Sequence, residues 1–568
     1  MSYREAVIGA SKYRPVGNMN VYDYFLLNTK QYGDYTLFGH KGKDHLRSEF
    51  INDIEAAACY FKNELKLKQG DVFTIFLPTS IEAMIIFMAL NKLGVTVSIL
   101  LPHLPIDSLN DALNLTGSKG IAYQETIGKE YLALAAKKGL PVVICCAETY
   151  AVDNKFSVKP SAETLEMINS TGVKYSIYSD IIEKYNGQTT EGIKKNSAQI
   201  AVYMNGGGTT GQSRTIKLSN FALNSCVFMV GLNDEKPQRP GIDTDIGCMP
   251  FFHAYGFCVG GLTALHRATK LVLMPAFNAE QFIDIMKHNE VIQFCGVPKM
   301  YKKLFETPGF DGPHLKHIRT IFSGGDDLDP DFLAKFNAVL EKNGAVGRLQ
   351  QGYGLTECCA ICISNPVYTN KDGTIGRPLN GLLAEIWDEN NNALDDNQVG
   401  EIVLSGPSIM EGYLTKDGPI DEGLYTDEFG RKWVKTGDLA YRDEEGFYYF
   451  MGRKKRLIII AGYNVYPKDV ENLMAKYAGF ISECCAVQGF DENGNILVRL
   501  YVVLTEDAKK GDKEAYKQQI IDICKQKLAK FSVPRDVRFI DALPRTKTAK
   551  VDFIKMTQQT PDAEIYNG

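Results

Sequence analysis

The stretch Tyr203-Met-Asn-Gly-Gly-Gly-Thr-Thr-Gly-Gln-Ser-Arg-Thr-Ile-Lys-Leu-Ser-Asn220 decides how this chain is read. Its four glycines and two adjacent threonines make a loop with little side-chain bulk and many free backbone N–H groups. Glycine reaches the positive φ angles that turn successive amides toward one point, and the threonine hydroxyls add donors, so such a loop holds phosphate. Gly206, Gly208 and Gly211 spell G-x-G-x-x-G, but that fingerprint opens a helix after its strand. Here Arg214-Thr-Ile-Lys-Leu-Ser219 alternates polar and apolar residues and predicts a second strand. A Walker A loop fails as well, because Gln212 follows Gly211 where a lysine is required. A third reading is a hairpin loop that clamps phosphate between two strands.

Further segments extend this reading along the chain. In order they are Gly247-Cys-Met-Pro-Phe-Phe-His253-Ala-Tyr255-Gly256, Gln351-Gly-Tyr353-Gly-Leu-Thr356-Glu357, Lys435-Thr-Gly-Asp438-Leu-Ala-Tyr441, Gly452-Arg453-Lys-Lys455-Arg-Leu-Ile-Ile-Ile-Ala-Gly462-Tyr463-Asn-Val-Tyr-Pro467, and Leu543-Pro-Arg-Thr-Lys-Thr-Ala-Lys550. In sequence and in order they resemble the adenylate-forming superfamily, which contains acyl-CoA synthetases, luciferases and peptide-synthetase adenylation domains. The resemblance runs from about residue 30 to about residue 556.

A chain of 568 residues exceeds what one core sustains, so at least two domains are expected. A net charge of −5 without long basic runs excludes a general nucleic-acid binder. The N-terminus has no apolar core with a cleavage site, and no run approaches the roughly 18 apolar residues of a membrane span, so a cytoplasmic protein is expected. Thirteen cysteines, an odd number in mostly apolar surroundings, fit reduced core thiols. Cys359-Ala-Ile-Cys362 matches C-x-x-C, yet no second pair or nearby histidine completes a metal site, and core packing is the better reading.

Residues 72 to 146 alternate apolar strands with helical stretches, and a second such run begins near Asp245, which predicts two α/β layers with parallel sheets. From about Ala384 to Phe450 short alternating segments lie between turn-rich stretches and predict a small β-barrel or sheet. The expected fold is therefore α/β: a large N-terminal domain, residues 1–452, of two layered subdomains plus the small barrel, followed by an α+β domain over 453–568, which the resemblance implies is mobile. In that C-terminal part, helices are expected near 467–477 and 513–530.

The resemblance implies roles at particular positions. Gly208, Thr209, Thr210 and Gly211 would hold the leaving pyrophosphate, with Arg214 where the family usually carries lysine. Ser213 and Thr215 depart from the family's proline and glycine, and Ala549 from a frequent glycine. Tyr353 would stack on adenine, Gly324 and Gly325 would line its edge, and Asp438 with Arg453 would hold the ribose. Thr356 would donate to the α-phosphate, Glu357 would ligate Mg²⁺, and Lys550 would bridge the substrate carboxylate and the α-phosphate. His253, Tyr255 and Gly256 belong to the acyl-site segment, where His253 is read equally as a gate or as a satisfied helix-start histidine. Gly256, Gly260 and Gly261 either leave room for an acyl or aryl tail or permit helix packing. Gly462 and Tyr463 would serve the second half-reaction after rotation about Lys455. The implied reactants are a carboxylic acid, ATP with Mg²⁺, and CoA. A carrier-protein acceptor, a catalytically weak ATP-binding homologue and a dinucleotide-dependent oxidoreductase are the alternatives.

Overall fold

The computed structural model describes residues 17–194, 196–206, 214–232, 236–326, 328–365, 369–420, 422–460, 463–546 and 551–558. The chain divides into two compact units, one formed by residues 1–206, 214–384 and 404–434, the other by 207–213, 385–403 and 435–568.

The first unit contains two nine-stranded sheets. In one, strands Leu349–Leu355, Thr320–Ser323, Glu290–Gly296, Asp243–Gly247, Lys270–Leu273 and Thr36–His40 run parallel. Antiparallel strands close its two edges, Ala360–Ser364 and Arg377–Pro378 on one side and Lys43–Leu46 on the other. Helices Ala279–His288, Pro298–Glu306 and Pro330–Lys342 bury apolar faces in its core through Phe282, Met286, Tyr301, Leu304 and Phe336. Their chain-order alternation with the strands is the β–α pattern that yields parallel pairing.

The second sheet has a parallel core of Ile200–Asn205, Thr96–Ile99, Val72–Phe76, Ile121–Gln124, Val142–Cys145 and Tyr175–Ile177. It continues through Thr215–Ser219, Tyr413–Thr415 and Gly418–Ile420 in antiparallel pairs. Asn205 faces Thr215, and the Gly206 amide donates to the Arg214 carbonyl at 3.0 Å. The glycine-rich loop is thus carried by two antiparallel strands, which removes the dinucleotide reading.

Helix Ile81–Lys92 is buried on every side, as a helix that is apolar all round must be. Ser80 caps it by accepting from the Ala83 amide at 3.2 Å. Glu82, in its first turn, is 5% exposed, and burial pushes its carboxyl up to about 7 against the weaker lowering by its own amide, Ser80 and Thr149, with Glu125 nearby adding to the rise. A carboxyl raised in the folded state stabilises the fold below its unfolded value of 4.5 and loses that contribution as pH climbs through 7. Glu82→Gln should therefore gain on the wild type by about 3 kcal/mol between pH 4.5 and pH 8. Paired urea titrations at the two pH values check this; a difference that does not change with pH would refute it.

In the second unit, Asp438 to Arg442 of the strand Lys432–Arg442 pair with the strand Tyr448–Arg453. The region read as a small barrel or sheet does contain a sheet, to which these two strands belong. Toward the C-terminus a three-stranded sheet, Ile481–Phe490, Ile496–Leu504 and Asp536–Phe539, shares a core with helices Pro467–Tyr477 and Lys513–Lys527. The helix expected to reach residue 530 stops at Lys527, after which the Leu528 backbone is extended. Among the described residues, no helix is long and apolar enough to cross a membrane.

Candidate active site

The strand Leu349–Leu355 leaves its sheet carrying the Tyr353-Gly-Leu-Thr-Glu357 motif, and Thr356–Cys358 forms one 3₁₀ turn at its end. Cys359, at φ 68°, stops that turn and sends the chain back as Ala360–Ser364. The return is tight. A β-carbon on Gly354 would stand 1.7 Å from the Ala360 carbonyl oxygen, so glycine is required for the hairpin to close.

This turn brings Glu357 to the base of the glycine-rich hairpin. A β-carbon on Gly206 would lie 3.8 Å from Glu357 Oε1. Tyr413 donates its hydroxyl to the same oxygen at 3.0 Å. The Arg214 guanidinium lies over the Tyr413 ring, 5.1 Å from its centroid, and pairs with Glu422 at 2.9 Å. The fold thus brings Glu357 to Gly206 and Arg214, from which it is distant in sequence. Gly208, Thr209, Thr210 and Gly211, with Ser213, lie outside the described residues. Tyr413 and Glu422 escaped the sequence reading, because no local motif marks a residue whose role comes from antiparallel pairing with a distant strand.

The segment before His253 is fixed by the Phe251 amide, which donates to Thr79 Oγ1 at 3.1 Å. His253 lies half-buried, with its ring 4.4 Å from that of Phe252, and its carbonyl accepts from the Phe257 amide at 2.9 Å. After it the backbone widens into an eight-residue π-helix, Tyr255–Leu262, a rare form that concentrates at functional positions. Tyr255 reaches from this helix to donate to the Phe322 carbonyl at 2.8 Å, and its ring covers Gly324, where a β-carbon would approach to 3.3 Å. Gly325 follows at φ 82°. Tyr353 is half-buried.

The glycines of the π-helix do not leave room for a tail. A β-carbon on Gly256 would meet the Pro250 carbonyl oxygen at 2.3 Å, one on Gly260 the Cys295 sulfur at 3.3 Å, and one on Gly261 Phe251 and Met84 at 3.0 and 3.1 Å. Close packing is what these positions serve. Cys359 and Cys362 are fully buried, as core packing requires, and burial pushes the Cys359 thiol up.

In the second unit, Asp438 faces Arg453 across a strand pair, and its carboxylate meets Arg453 Nε at 3.0 Å while only 3% exposed. The Thr-Gly-Asp sequence, whose composition suggests a turn, lies inside the strand Lys432–Arg442. Glu401 accounts for this by accepting from the Gly437 amide at 2.9 Å, while Thr436 donates to the Ile402 carbonyl at 2.7 Å. Gly452 adopts φ +121° immediately before Arg453. In the 3₁₀ turn Lys454–Arg456, Lys454 pairs with Glu401 and Arg456 with Glu471, while Lys455 is exposed and makes no ion pair among the described residues. Tyr463 stacks on Phe531 with centroids 4.4 Å apart. Gly462 and Lys550, with Ala549, lie outside the described residues.

The family model of AMP-binding enzymes matches residues 28–414, and that of the AMP-binding enzyme C-terminal domain matches 469–550. A probable 4-coumarate–CoA ligase 3 of Dictyostelium discoideum is 28% identical over 89% of this chain and 88% of its own length. A long-chain-fatty-acid–CoA ligase of Bacillus subtilis is 32% identical over 62% of this chain and 60% of its own. Among solved structures, ATP-bound MatB from Rhodopseudomonas palustris superposes with a TM-score of 0.75 at 21% identity, covering 95% of this chain and 99% of MatB. The o-succinylbenzoate CoA synthetase of Bacillus subtilis, bound to its acyl-adenylate, gives a TM-score of 0.73 at 20% identity, covering 95% and 99%. With its hairpin base beside Glu357 and a family match over more than half its length, the chain belongs to the AMP-binding enzymes.

Proposed function

We propose that this protein is an AMP-forming carboxylate–CoA ligase: a carboxylic acid and ATP give an acyl-adenylate and pyrophosphate, and CoA then gives the acyl-CoA and AMP. The observation that carries this reading is the approach of the Gly206–Arg214 hairpin base to the Glu357 turn. Joining two anions requires donors and cations that converge on the phosphates while the carboxylate is aligned with the α-phosphorus. Arg214 supplies the cation and the hairpin loop the backbone donors, with Gly208, Thr209, Thr210 and Gly211 assigned to the departing pyrophosphate. Thr356 is assigned to the α-phosphate, Tyr353, Gly324 and Gly325 to adenine, Asp438 and Arg453 to the ribose, and His253 and Tyr255 to the acyl site.

Mg²⁺ suits this donor set. Among the described residues, no group of three or more His, Cys, Asp or Glu side chains is arranged to hold a metal ion, and Mg²⁺ is commonly held by one or two carboxylates together with substrate phosphates and water. Glu357 would be that carboxylate, and the ion would neutralise phosphate charge when bound.

We assign the second half-reaction to a C-terminal domain over 453–568 that turns about Lys455, supported by the positive φ of Gly452 and the exposed Lys455. Gly462 and Tyr463 would face CoA after the turn. Thirteen cysteines without a disulfide support a cytoplasmic setting.

A panel of aliphatic and aromatic carboxylic acids, assayed for pyrophosphate release with and without CoA, tests the reading. Acid-dependent pyrophosphate release, followed by thioester and AMP when CoA is added, is expected. Thioester formation with ADP would overturn the mechanism, and ATP binding without pyrophosphate release for any acid would favour a catalytically weak homologue. The relatives named for 4-coumarate and long-chain fatty acids make hydroxycinnamates and long-chain acids the first members to try.

A further inference from the structure

Tyr413 stands between the two charges on which the proposed chemistry depends. Three backbone hydrogen bonds fix its strand: Glu411 N donates to the Lys217 carbonyl at 2.8 Å, Lys217 N to the Gly412 carbonyl at 3.0 Å, and Met410 N to the Glu357 carbonyl at 2.7 Å. The first two hold residues 411–413 against the hairpin strand Thr215–Ser219, and the third ties them to the Glu357 turn. The Tyr413 side chain is 6% exposed. Its ring face takes the Arg214 guanidinium and its hydroxyl takes Glu357 Oε1, so one residue engages both groups through different atoms.

We infer that Tyr413 is a positioning residue that commits one oxygen of Glu357 to a fixed hydrogen bond, leaves the other oxygen for a divalent cation, and keeps the carboxylate from collapsing onto Arg214. The inference rests on the reading of Glu357 as the carboxylate that meets the metal. The phenol donates to Glu357 Oε1 at 3.0 Å. Among the described residues, Glu357 Oε2 accepts no hydrogen bond. Without the phenol, Glu357 and Arg214 would be free to pair, and an ion pair made there competes with both the cation and the phosphate.

The experiment uses the full chain with saturating α,β-methylene-ATP and follows Mn²⁺ binding by electron paramagnetic resonance. Tyr413→Phe keeps the ring, its packing and its face toward Arg214 while removing only the hydroxyl. Mn²⁺ affinity should fall on the order of 10-fold, with the metal-free affinity for the analogue unchanged. Glu357→Gln should also weaken Mn²⁺, and Tyr413→Phe should add nothing in that background, because its effect passes through the carboxylate. Losses that add in the double variant would mark a structural role and overturn the inference. Unchanged Mn²⁺ affinity in Tyr413→Phe with weakened binding in Glu357→Gln would overturn it while leaving the Glu357 assignment intact. Unchanged affinity in Glu357→Gln would remove that assignment and the inference together. In the pyrophosphate assay, Tyr413→Phe should raise the Mg²⁺ needed for half-maximal rate by a similar factor, with the rate recovering at high Mg²⁺.

Discussion

Lys550→Ala should slow acid-dependent pyrophosphate release on the order of 10²-fold or more, since a cation aimed at charge that develops in the transition state carries a large share of catalysis. Its assignment comes from Pro544-Arg-Thr-Lys-Thr-Ala-Lys550 in the sequence. A lysine this near a C-terminus is ordinarily solvated and dispensable, so the two readings give opposite outcomes. The same variant, supplied with pre-formed acyl-adenylate and CoA, should still make thioester at close to the wild-type rate. Equal loss in both half-reactions from a folded protein would show that Lys550 does not act on adenylation alone. An unaffected first half-reaction would return it to the solvated class.

A comparably large effect is expected from a single methyl group at Gly354. The added β-carbon would stand 1.7 Å from the Ala360 carbonyl oxygen, 2.6 Å from its carbon and 2.8 Å from Ile361 Cα. These are backbone atoms, so no side-chain rotation relieves the clash, and the hairpin itself must open. Overpacking of this kind costs about 3 kcal/mol or more. The displacement would fall where the register between the strands already shifts, beside Tyr353 and three residues before Glu357. Gly354→Ala should therefore lower the unfolding temperature by several degrees and reduce pyrophosphate release by about 10²-fold, the scale seen when catalytic groups are misplaced by an ångström. Thermal unfolding and the pyrophosphate assay on the same preparation check both. A variant with wild-type melting and activity would mean that the strands are not so close.

What the sequence made legible was local pattern. The alternation over Arg214–Ser219 predicted the strand that turns the glycine-rich loop into a hairpin, and the strand returns at Thr215–Ser219. Strand and helix periodicities over 72–146 and beyond Asp245 predicted the parallel cores of both sheets. Tyr413 stayed hidden, because its place depends on facing Ile216 across antiparallel strands, a pairing with no periodic trace in either segment. Asp438 was legible as a candidate, but its strand conformation was not, since Glu401 and Ile402 supply the partners for Gly437 and Thr436 from a distance. Whether the glycines at 256, 260 and 261 leave space or permit packing was open in the sequence, and only the neighbours around them reveal the close packing. The reason for Gly354 was equally invisible, because a glycine in a motif does not say which backbone it must let approach.

The π-helix at Tyr255–Leu262 also bears on how such a protein can diversify. A wide turn of this kind holds one residue more than the regular helix into which it relaxes, so losing a single codon there would shorten the segment while leaving the residues on either side in register. Phe257, Cys258, Val259 and Leu262 are all buried there, so such a change would act through how this packed segment meets its neighbours. A lineage carrying this segment has a route to a change of length inside a buried helix that does not run through the slow accumulation of point changes.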